Sequence, residues 1–289
     1  MQKALVVVNP ISGGKNKQPI IDLIERNLSK EISHEFIYWE RPEQKTDIVE
    51  RLKEDTFDIA IAVGGDGTIN QVGSALVGSS KKLGIIPVGS GNGLARHLNI
   101  PLDPRKAIDI INRRMTVPMD ACTVNDTFFF CASGIGFDAH IVKLFADSKK
   151  RGFFTYLRLS LSEFIGYKAR RYTLKTDGVE VNERAFLVTI ANASQYGNNA
   201  YIAPQASVSD GIMDICVMRP FNIFQGISMC FKLFNKTLNP SSSMLTYRTN
   251  EVVIEREEDG PIHCDGEPLM AGKILIYKIF PKALNVIVP

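Results

Sequence analysis

The chain has 289 residues, of which 45% are hydrophobic and 22% are charged, with 22 glycines and 14 prolines. This length and composition predict about two globular domains and exclude the disordered, collagen-like and coiled-coil classes. The formal net charge is +3, from 34 Lys and Arg against 31 Asp and Glu. A dedicated nucleic-acid-binding protein needs a concentrated basic face, so we expect no nucleic acid as a partner.

The cysteines and the longest apolar segment indicate the cellular compartment in which we expect the protein. The five cysteines are odd in number and widely spaced, without a Cys-x-x-Cys pair, so the sequence predicts neither a disulfide framework nor a zinc site. A reducing cytoplasm fits this pattern. The longest apolar segment, 221–234, includes polar and charged residues and is shorter than the ~20 residues that span a bilayer.

Runs rich in β-branched residues alternate with helical patterns through the first third of the chain. The predicted strands are 4–8, 35–39, 59–63 and 83–88. The predicted helices are 19–29, 48–53, 69–76, one beginning near Leu94, and 107–113. Because strands and helices alternate, we expect a parallel, doubly wound α/β sheet.

Near residues 117–120 the pattern changes to strands separated by hairpin signals, such as the turn Asp177-Gly178. The predicted strands are 127–132, 171–175, 184–191, 211–217, 251–255, 273–280 and 283–288, and the predicted helices are 138–145, 154–167 and 221–234. We therefore predict an α/β domain over 1–119, with 281–289 as a candidate to rejoin it, and a mainly antiparallel β domain over 120–280.

A glycine-rich segment, G-G-D-G-T-I-N at 64–70, directly follows the predicted strand 59–63. Glycines let backbone N–H groups approach phosphate oxygens closely, and the helix that follows contributes partial positive charge. A carboxylate beside a phosphate is repelled unless a cation bridges them, so Asp66 indicates Mg²⁺ or contact with a nucleotide hydroxyl. An ordinary strand-to-helix turn is the alternative interpretation.

Two further loops follow predicted strands of the same sheet: N-P-I-S-G-G-K at 9–15 and G-S-G-N-G-L-A-R at 89–96. Ligands of doubly wound sheets bind outside the carboxyl ends of the strands, so we expect these loops to face one crevice. Neither a Walker A spacing nor a G-x-G-x-x-G fingerprint occurs, which argues against a P-loop NTPase and a standard dinucleotide site.

In this order, NPISGG, GGDGTIN and PVGSGNGLARHL resemble the diacylglycerol kinase catalytic domain superfamily, which includes bacterial YegS/DgkB-like lipid kinases, sphingosine kinases and ceramide kinases. Downstream segments at 120–138, 203–211 and 265–268 are similar to the second domain of that family. The resemblance implies an α/β ATP-binding domain like those of NAD kinases and phosphofructokinases. It also implies a β-sandwich domain, with the active site between the two.

The resemblance also assigns site residues and the cofactors ATP and Mg²⁺. The residues implied to contact ATP are Asn9, Pro10, Ile11, Ser12, Gly13, Gly64, Gly65, Asp66, Gly67, Thr68, Ile69, Asn70, Gly89, Ser90, Gly91 and Asn92. Asp265 and Glu267, in an Asp-Gly-Glu turn, would supply the general base for a lipid hydroxyl, with Asp66 as a third catalytic carboxylate. A structural Mg²⁺ would be held by Ser207, Asp210 and Ile212, with Asp120 in the same acidic network. Plain turns are the alternative for both downstream segments.

The loop at 89–96 departs from the G-T-x-N-D-F-A-R pattern of bacterial diacylglycerol kinases, because Ser90 replaces the threonine and Gly93 the aspartate. It is more similar to the G-S-G-N-A-L-A of sphingosine and ceramide kinases. One carboxylate of the expected metal network is therefore absent, which leaves the identity of the acceptor lipid open.

Basic residues at 149–151 and 168–171 flank a helical pattern rich in aromatic residues, which suits an anionic membrane surface. A helix packed on the β domain with solvated charges is the alternative. The phenylalanines at 221, 224, 231 and 234 have helical spacing and are predicted to lie in the core. We expect a cytoplasmic protein, peripheral to the inner face of the membrane, and leave the oligomeric state open, with a homodimer as one option.

These observations predict an ATP-dependent kinase that phosphorylates the hydroxyl of diacylglycerol, phosphatidylglycerol or a sphingoid-type lipid. The first alternative is a small-molecule kinase of the NAD kinase type, which shares the G-G-D-G-T segment. The second is a catalytically inactive module that binds a nucleotide or a lipid.

Overall fold

A computed structural model describes residues 1–14, 16–148, 152–176 and 178–289. Lys15, the basic run 149–151 and Asp177, which enter the sequence predictions, lie outside the described residues. The chain divides into two compact units. Unit 1 comprises 1–119 and 282–289, and unit 2 comprises 120–281.

Regular elements make up most of both units. The strands are β1 (Gln2–Val8), β2 (Ile32–Tyr38), β3 (Ile59–Gly64), β4 (Lys82–Pro87), β5 (Thr116–Val124), β6 (Thr127–Phe129), β7 (Ala132–Gly136), β8 (Arg170–Thr176), β9 (Val179–Ala185), β10 (Leu187–Ala191), β11 (Met213–Met218), β12 (Met244–Thr249), β13 (Glu251–Arg256), β14 (Gly260–Cys264), β15 (Glu267–Ala271) and β16 (Ile274–Ile287). The helices are α1 (Gln18–Asn27), α2 (Lys45–Lys53), α3 (Asp66–Leu76), α4 (Gly93–His97), α5 (Pro104–Arg113), α6 (Phe137–Asp147), α7 (Phe153–Phe164) and α8 (Ile223–Phe234).

Unit 1 contains a parallel sheet in the order β2-β1-β3-β4, and the last residues of β16 add in parallel beside β4. All residues of β3 are buried, as expected for a parallel strand covered on both faces. Helix α1 packs with α5, which covers β4, while α2 packs with α3, which covers β3 and β4. The strand order reverses between β1 and β3, which is where doubly wound sheets bind their ligands.

Unit 2 is a sandwich of two largely antiparallel sheets. One sheet has the order β12-β11-β10-β7-β14-β15. In the other sheet the unit 2 part of β16 pairs with β13, and β8 and then β9 follow on the far side of β13. The β5–β6 hairpin also belongs to this sheet, because β5 pairs with β16. Its core is formed by apolar side chains from both sheets, among them Phe129, Val188, Ile215, Val252 and Tyr277. The predicted fold class, a doubly wound α/β domain followed by an antiparallel β-sandwich, is confirmed.

Several predicted strands have different limits. The segment 184–191 is two strands rather than one, because the chain changes sheets at Phe186: β9 pairs with β8, whereas β10 pairs with β7 and β11. The segments 273–280 and 283–288 belong to the single long strand β16. The predicted strand 127–132 ends at Phe129 and is followed by β7.

The prediction that the phenylalanine stripe of 221–234 lies in the core is wrong for most of its members. Phe221 packs against Phe164 and Phe186, but Phe224, Phe231 and Phe234 are exposed on α8. Only Met229 of this helix is buried.

Among the described residues, no helix combines the length and the apolarity needed to cross a bilayer.

Candidate active site

Three loops of unit 1 follow the ends of β1, β3 and β4. We call residues 9–14 the first loop, 64–67 the second loop and 89–93 the third loop. The Asn9 side chain organises the first loop, since its carbonyl accepts hydrogen bonds from the backbone N–H groups of Ile11 and Ser12, both at 3.1 Å. Its amide donates to Thr68 Oγ1 at 3.0 Å, which ties the first loop to helix α3.

The three loops meet at their backbones. Gly13 has a φ of +66°, and a Cβ at this position would lie 2.1 Å from the carbonyl oxygen of Val88, the residue that follows β4. A Cβ at Gly89 would lie 2.5 Å from the Cα of Gly65. Only glycine fits such approaches, so the glycines that the sequence singles out bring the first, second and third loops together.

Asp66, the first residue of α3, connects the second loop to the third. Its carboxylate oxygens accept hydrogen bonds from the backbone N–H groups of Asn92 and Gly93, both at 2.8 Å. These donors lie at the start of α4, where N–H groups have no partner within the helix and a negative charge is favoured. Asp66 therefore holds the third loop in place, a role that its sequence position did not indicate.

The third loop is also closed by its own side chains. Asn92 has a φ of +51°, and its side-chain amide exchanges two hydrogen bonds with the backbone of Gly89, at 3.0 and 2.8 Å. Arg96 Nε donates to the Gly91 carbonyl at 3.0 Å. The loop is thus held from both ends by polar contacts that the glycine pattern alone does not specify.

Positive charge and N–H donors lie close to the loops. Helix α3 begins there, and the N-terminus of a helix favours anions. The buried ammonium of Lys17 donates a hydrogen bond to the Ser12 carbonyl of the first loop. This arrangement suits the phosphate groups of a nucleotide.

In unit 2, the Asp265-Gly266 turn joins β14 to β15, and both residues have positive φ. The Asp265 carboxylate accepts three backbone hydrogen bonds, from Cys131 at 2.7 Å, Phe130 at 2.9 Å and Ala132 at 3.1 Å. Glu267 is exposed on the other side of the same turn. The two candidate bases therefore differ: Asp265 is fixed by the backbone of the β6–β7 connection, and Glu267 faces solvent.

A buried polar cluster lies next to this turn. Asp138 accepts hydrogen bonds from Thr189 Oγ1 at 3.1 Å and from the Tyr196 hydroxyl at 3.3 Å, and His263 Nε2 lies 3.4 Å from it. Burial, reinforced by the negative charge of Asp138, raises the pKa of Tyr196. Because His263 precedes Asp265 by two residues on β14, the cluster anchors the strand that carries the turn.

The predicted Mg²⁺ ligands of unit 2 lie near one another and make hydrogen bonds within the protein. Asp120 accepts a hydrogen bond from the Gly211 N–H at 2.7 Å, and Asp210 accepts bonds from the Ile212 N–H and the Arg248 guanidinium. Burial raises the pKa of the neighbouring Asp214, and Arg248 opposes this shift.

The metal prediction for Ser207, Asp210, Ile212 and Asp120 therefore stays a prediction. Within the described ranges, no group of three or more His, Cys, Asp or Glu side chains is arranged to hold a metal ion.

The fold and the loops define the class: an α/β unit with glycine-rich loops at the carboxyl ends of its parallel strands, together with a β-sandwich unit. Residues 3–124 match the model of the diacylglycerol kinase catalytic domain, and residues 132–288 match that of the YegS C-terminal NAD kinase beta sandwich-like domain. The chain belongs to the diacylglycerol kinase catalytic domain family, in its YegS-like lipid kinase branch, which confirms the family that the motifs predict.

Individual relatives span nearly the whole chain. A Klebsiella pneumoniae protein named probable lipid kinase YegS-like is 30% identical, over 89% of this chain and 86% of its own. An uncharacterized protein of Synechocystis sp. is 30% identical, over 98% of this chain and 70% of its own. A crystal structure of a diacylglycerol kinase from Bacillus anthracis, 20% identical, has a TM-score of 0.79 and covers 100% of this chain and 97% of its own, a likeness of fold.

Sequence reasoning did not predict the role of several residues that organise the two candidate sites. They are Lys17 and Arg96 in unit 1, and Asp138, Thr189, Asn192, Tyr196 and His263 in unit 2. Asn192, for example, donates to the carbonyls of Asp120 and Phe130, at 3.1 and 2.8 Å. For Thr189 and His263, a polar residue within a buried strand was the available signal, and it does not identify the hydrogen-bond partner.

Proposed function

We propose that this protein transfers the γ-phosphoryl group of ATP to the hydroxyl of a lipid: diacylglycerol, phosphatidylglycerol or a sphingoid-type base. The observation that carries the proposal is the convergence of the three glycine loops at the strand-order reversal of unit 1. Family membership supports a lipid as the acceptor.

In this proposal the nucleotide binds at the three loops of unit 1. The backbone N–H groups of the loops and the N-terminus of α3 bind the phosphates, and Asn9 and Asp66 keep the loops in register. Mg²⁺ bound with ATP would neutralise charge on the transferring phosphoryl group. Positioning supplies most of the catalysis in phosphoryl transfer, so the rigidity of the loops is the chain's main contribution there.

The lipid hydroxyl oxygen forms a bond to the γ-phosphorus, the bond from that phosphorus to the bridging oxygen breaks, and ADP leaves. The hydroxyl proton goes to a carboxylate of the Asp-Gly-Glu turn, either Asp265 or Glu267. Asp265 is half-buried and held by three N–H groups, and Glu267 is exposed, so both carboxylates are candidates for the base.

We further propose that the protein works in the cytoplasm at the inner face of the membrane, where such acceptors are located. Sedimentation equilibrium of the same protein distinguishes a monomer from a homodimer.

The test is transfer of label from γ-labelled ATP, with Mg²⁺, to micelles containing diacylglycerol, phosphatidylglycerol, sphingosine or ceramide, with NAD as the soluble control. Labelling of one lipid is the expected result and names the acceptor. Labelling of NAD alone would establish the NAD kinase alternative. ATP binding without any product would favour the inactive binding module.

Asp66→Ala provides a variant control within the same assay. Loss of the two hydrogen bonds to the third loop should lower kcat about 100-fold, because small misplacements of a reacting group carry losses of this size. Asp109→Ala removes an exposed carboxylate from α5 and should leave kcat unchanged. Equal turnover of Asp66→Ala and the wild type would remove Asp66 from the proposal.

A further inference from the structure

Helices α7 and α8 of unit 2 expose an unusual amount of apolar surface. On α7, Phe154 is 85% exposed, Leu161 67% and, just beyond its end, Ile165 91%. On α8, Phe224 is 80% exposed and Phe231 68%. A folded chain leaves single apolar residues exposed without consequence, but a patch of this extent marks a binding surface.

The exposed residues follow helical spacing, so each helix presents one apolar stripe. Positions 154, 157, 161 and 165 form the stripe of α7, and positions 223, 224, 227, 231 and 234 that of α8. The helices are neighbours, because Phe164 of α7 packs against Phe221, which precedes α8, with ring centroids 5.6 Å apart. The two stripes thus belong to adjacent helices of one unit.

A groove of about 550 Å³ lies where the end of α7 meets the start of α8. Its lining combines apolar side chains, including Ile165, Phe221 and Ile223, with the cations Lys168 and Arg184. None of the described residues that line it is acidic. An apolar groove bordered by cations fits an occupant that is apolar and negatively charged.

Each of the two helices carries one cation. Lys232 is the one charged side chain on α8, a helix that the structure describes in full. On α7, Arg158 is exposed, and the single acid, Glu163, pairs with His140 at 2.9 Å. An anionic bilayer complements these two cations and those of the groove, so charge favours a bilayer over a second copy of this chain as the occupant.

We propose, resting on the lipid kinase function proposed above, that α7, α8 and the groove between their ends are the surface by which this protein docks on anionic phospholipid bilayers. The phenylalanines and isoleucines of the stripes enter the boundary between headgroups and acyl chains. Lys168 and Arg184 bind the phosphates of anionic lipids. The docking surface is distinct from the Asp-Gly-Glu turn, since none of the lining residues belongs to β14 or β15.

Binding to vesicles tests the proposal without turnover. The probes are vesicles of phosphatidylcholine alone and of phosphatidylcholine with phosphatidylserine, a lipid outside the acceptor panel, in the absence of ATP. The wild type should co-sediment with the anionic vesicles and much less with the neutral ones. A fluorophore on Cys230, the exposed cysteine of α8, should shift to the blue on binding.

Two pairs of variants make the test specific. Phe224→Ser with Phe231→Ser should weaken binding by about tenfold for each phenylalanine. Lys168→Gln with Arg184→Gln should weaken binding to anionic vesicles by about fivefold for each cation, and less as salt is added.

The matched controls remove similar groups elsewhere. Val179→Ser takes an exposed apolar residue from the opposite end of the β8–β9 hairpin, and Arg26→Gln with Lys53→Gln removes two exposed cations from unit 1. Both controls should bind vesicles like the wild type.

Wild-type binding by the Phe224/Phe231 variant would overturn the proposal, as would equal binding to neutral vesicles. A dimer in sedimentation equilibrium that these substitutions dissociate, without vesicle binding, would assign the face to a second copy instead. Turnover of short-chain, water-dispersed forms of the lipids in the acceptor panel separates the two proposals. A docking failure with intact turnover refutes the surface, whereas docking without turnover refutes the kinase function.

Discussion

Two carboxylates of this chain, those of Asp66 and Asp265, accept hydrogen bonds from backbone N–H groups. Asp66 fixes the third loop of unit 1 through two N–H groups, and Asp265 fixes the β6–β7 connection of unit 2 through three. Hydrogen bonds to charged groups are stronger than those between neutral groups. In both cases the residue type that chemistry would select for catalysis also stabilises the local structure that presents it.

Because Asp265 binds the backbone and Glu267 is exposed, we expect substitutions at the two positions to differ in their effect on the free energy of unfolding. In Asp265→Asn an amide nitrogen replaces an acceptor oxygen and faces backbone N–H donors, so the free energy of unfolding should fall by about 1.5–3 kcal/mol. Glu267→Gln is an exposed change and should alter it by less than about 0.5 kcal/mol. Urea unfolding of both variants measures the difference.

Activity of the same two variants then identifies the base. Loss of a general base lowers kcat by about 10²- to 10⁴-fold. If Glu267→Gln keeps its stability and loses activity to this extent, Glu267 accepts the proton. If it keeps both, the role belongs to Asp265. Unchanged stability of Asp265→Asn would contradict the structural role of the three N–H bonds.

At the scale of elements, the sequence predicts what is local and leaves open what depends on distant partners. The loops at 64–70 and 89–96 and their position after buried strands follow from glycine spacing and strand patterns. The bond from Asn92 to Asp66 spans 26 positions, and that from Phe130 to Asp265 spans 135, so no local pattern encodes them.

Helix α8 illustrates the same limit. Its helical spacing is readable in the sequence, and the helix forms with an Asn222 capping box. Which face it buries depends on what unit 2 offers to cover it. Unit 2 covers only a narrow stripe around Met229, so phenylalanines that periodicity assigns to the core are left at the surface.

Helix α4, which carries the end of the third loop, gives a pH-dependent prediction. Burial lowers the pKa of His97 below its ordinary value of 6.5, so the unfolded chain binds a proton that the folded chain does not. The contribution of His97 to the stability of unit 1 should therefore be fully present above about pH 6.5. It should decrease as the pH is lowered from about 6.5 through the lower pKa of the folded state. His97→Gln should flatten this part of the profile.

The fluorescence of Trp39 allows the unfolding of unit 1 to be followed separately from that of unit 2. Trp39 is the single tryptophan of the chain and is buried in unit 1, so its fluorescence during urea unfolding follows that unit. The wild type should show a lower unfolding midpoint at pH 5.5 than at pH 7.5, by a larger margin than His97→Gln. Parallel profiles for the two proteins would exclude His97 as the cause.

Across the whole molecule, all five cysteines lie in unit 2, and four of them are buried: Cys122, Cys131, Cys216 and Cys264. Burial raises the pKa of Cys216 and Cys264 to about 12, and that of Cys122 well above its ordinary value. The thiolate is the reactive form, so these thiols should react only when unit 2 opens. Cys230 is exposed on α8 and should react in the native state.

We therefore expect a thiol reagent to add once to the native protein and five times to the denatured protein, as counted by intact-mass spectrometry. Cys230→Ser should abolish the single native adduct and leave four after denaturation, which identifies the reactive site. Because Trp39 follows unit 1 and the buried thiols follow unit 2, the two probes together report the stability of each unit. Rapid addition of a second reagent molecule in native buffer would show that the sandwich core exposes a thiol, contrary to the packing of β5, β11 and β14 around Cys122, Cys216 and Cys264.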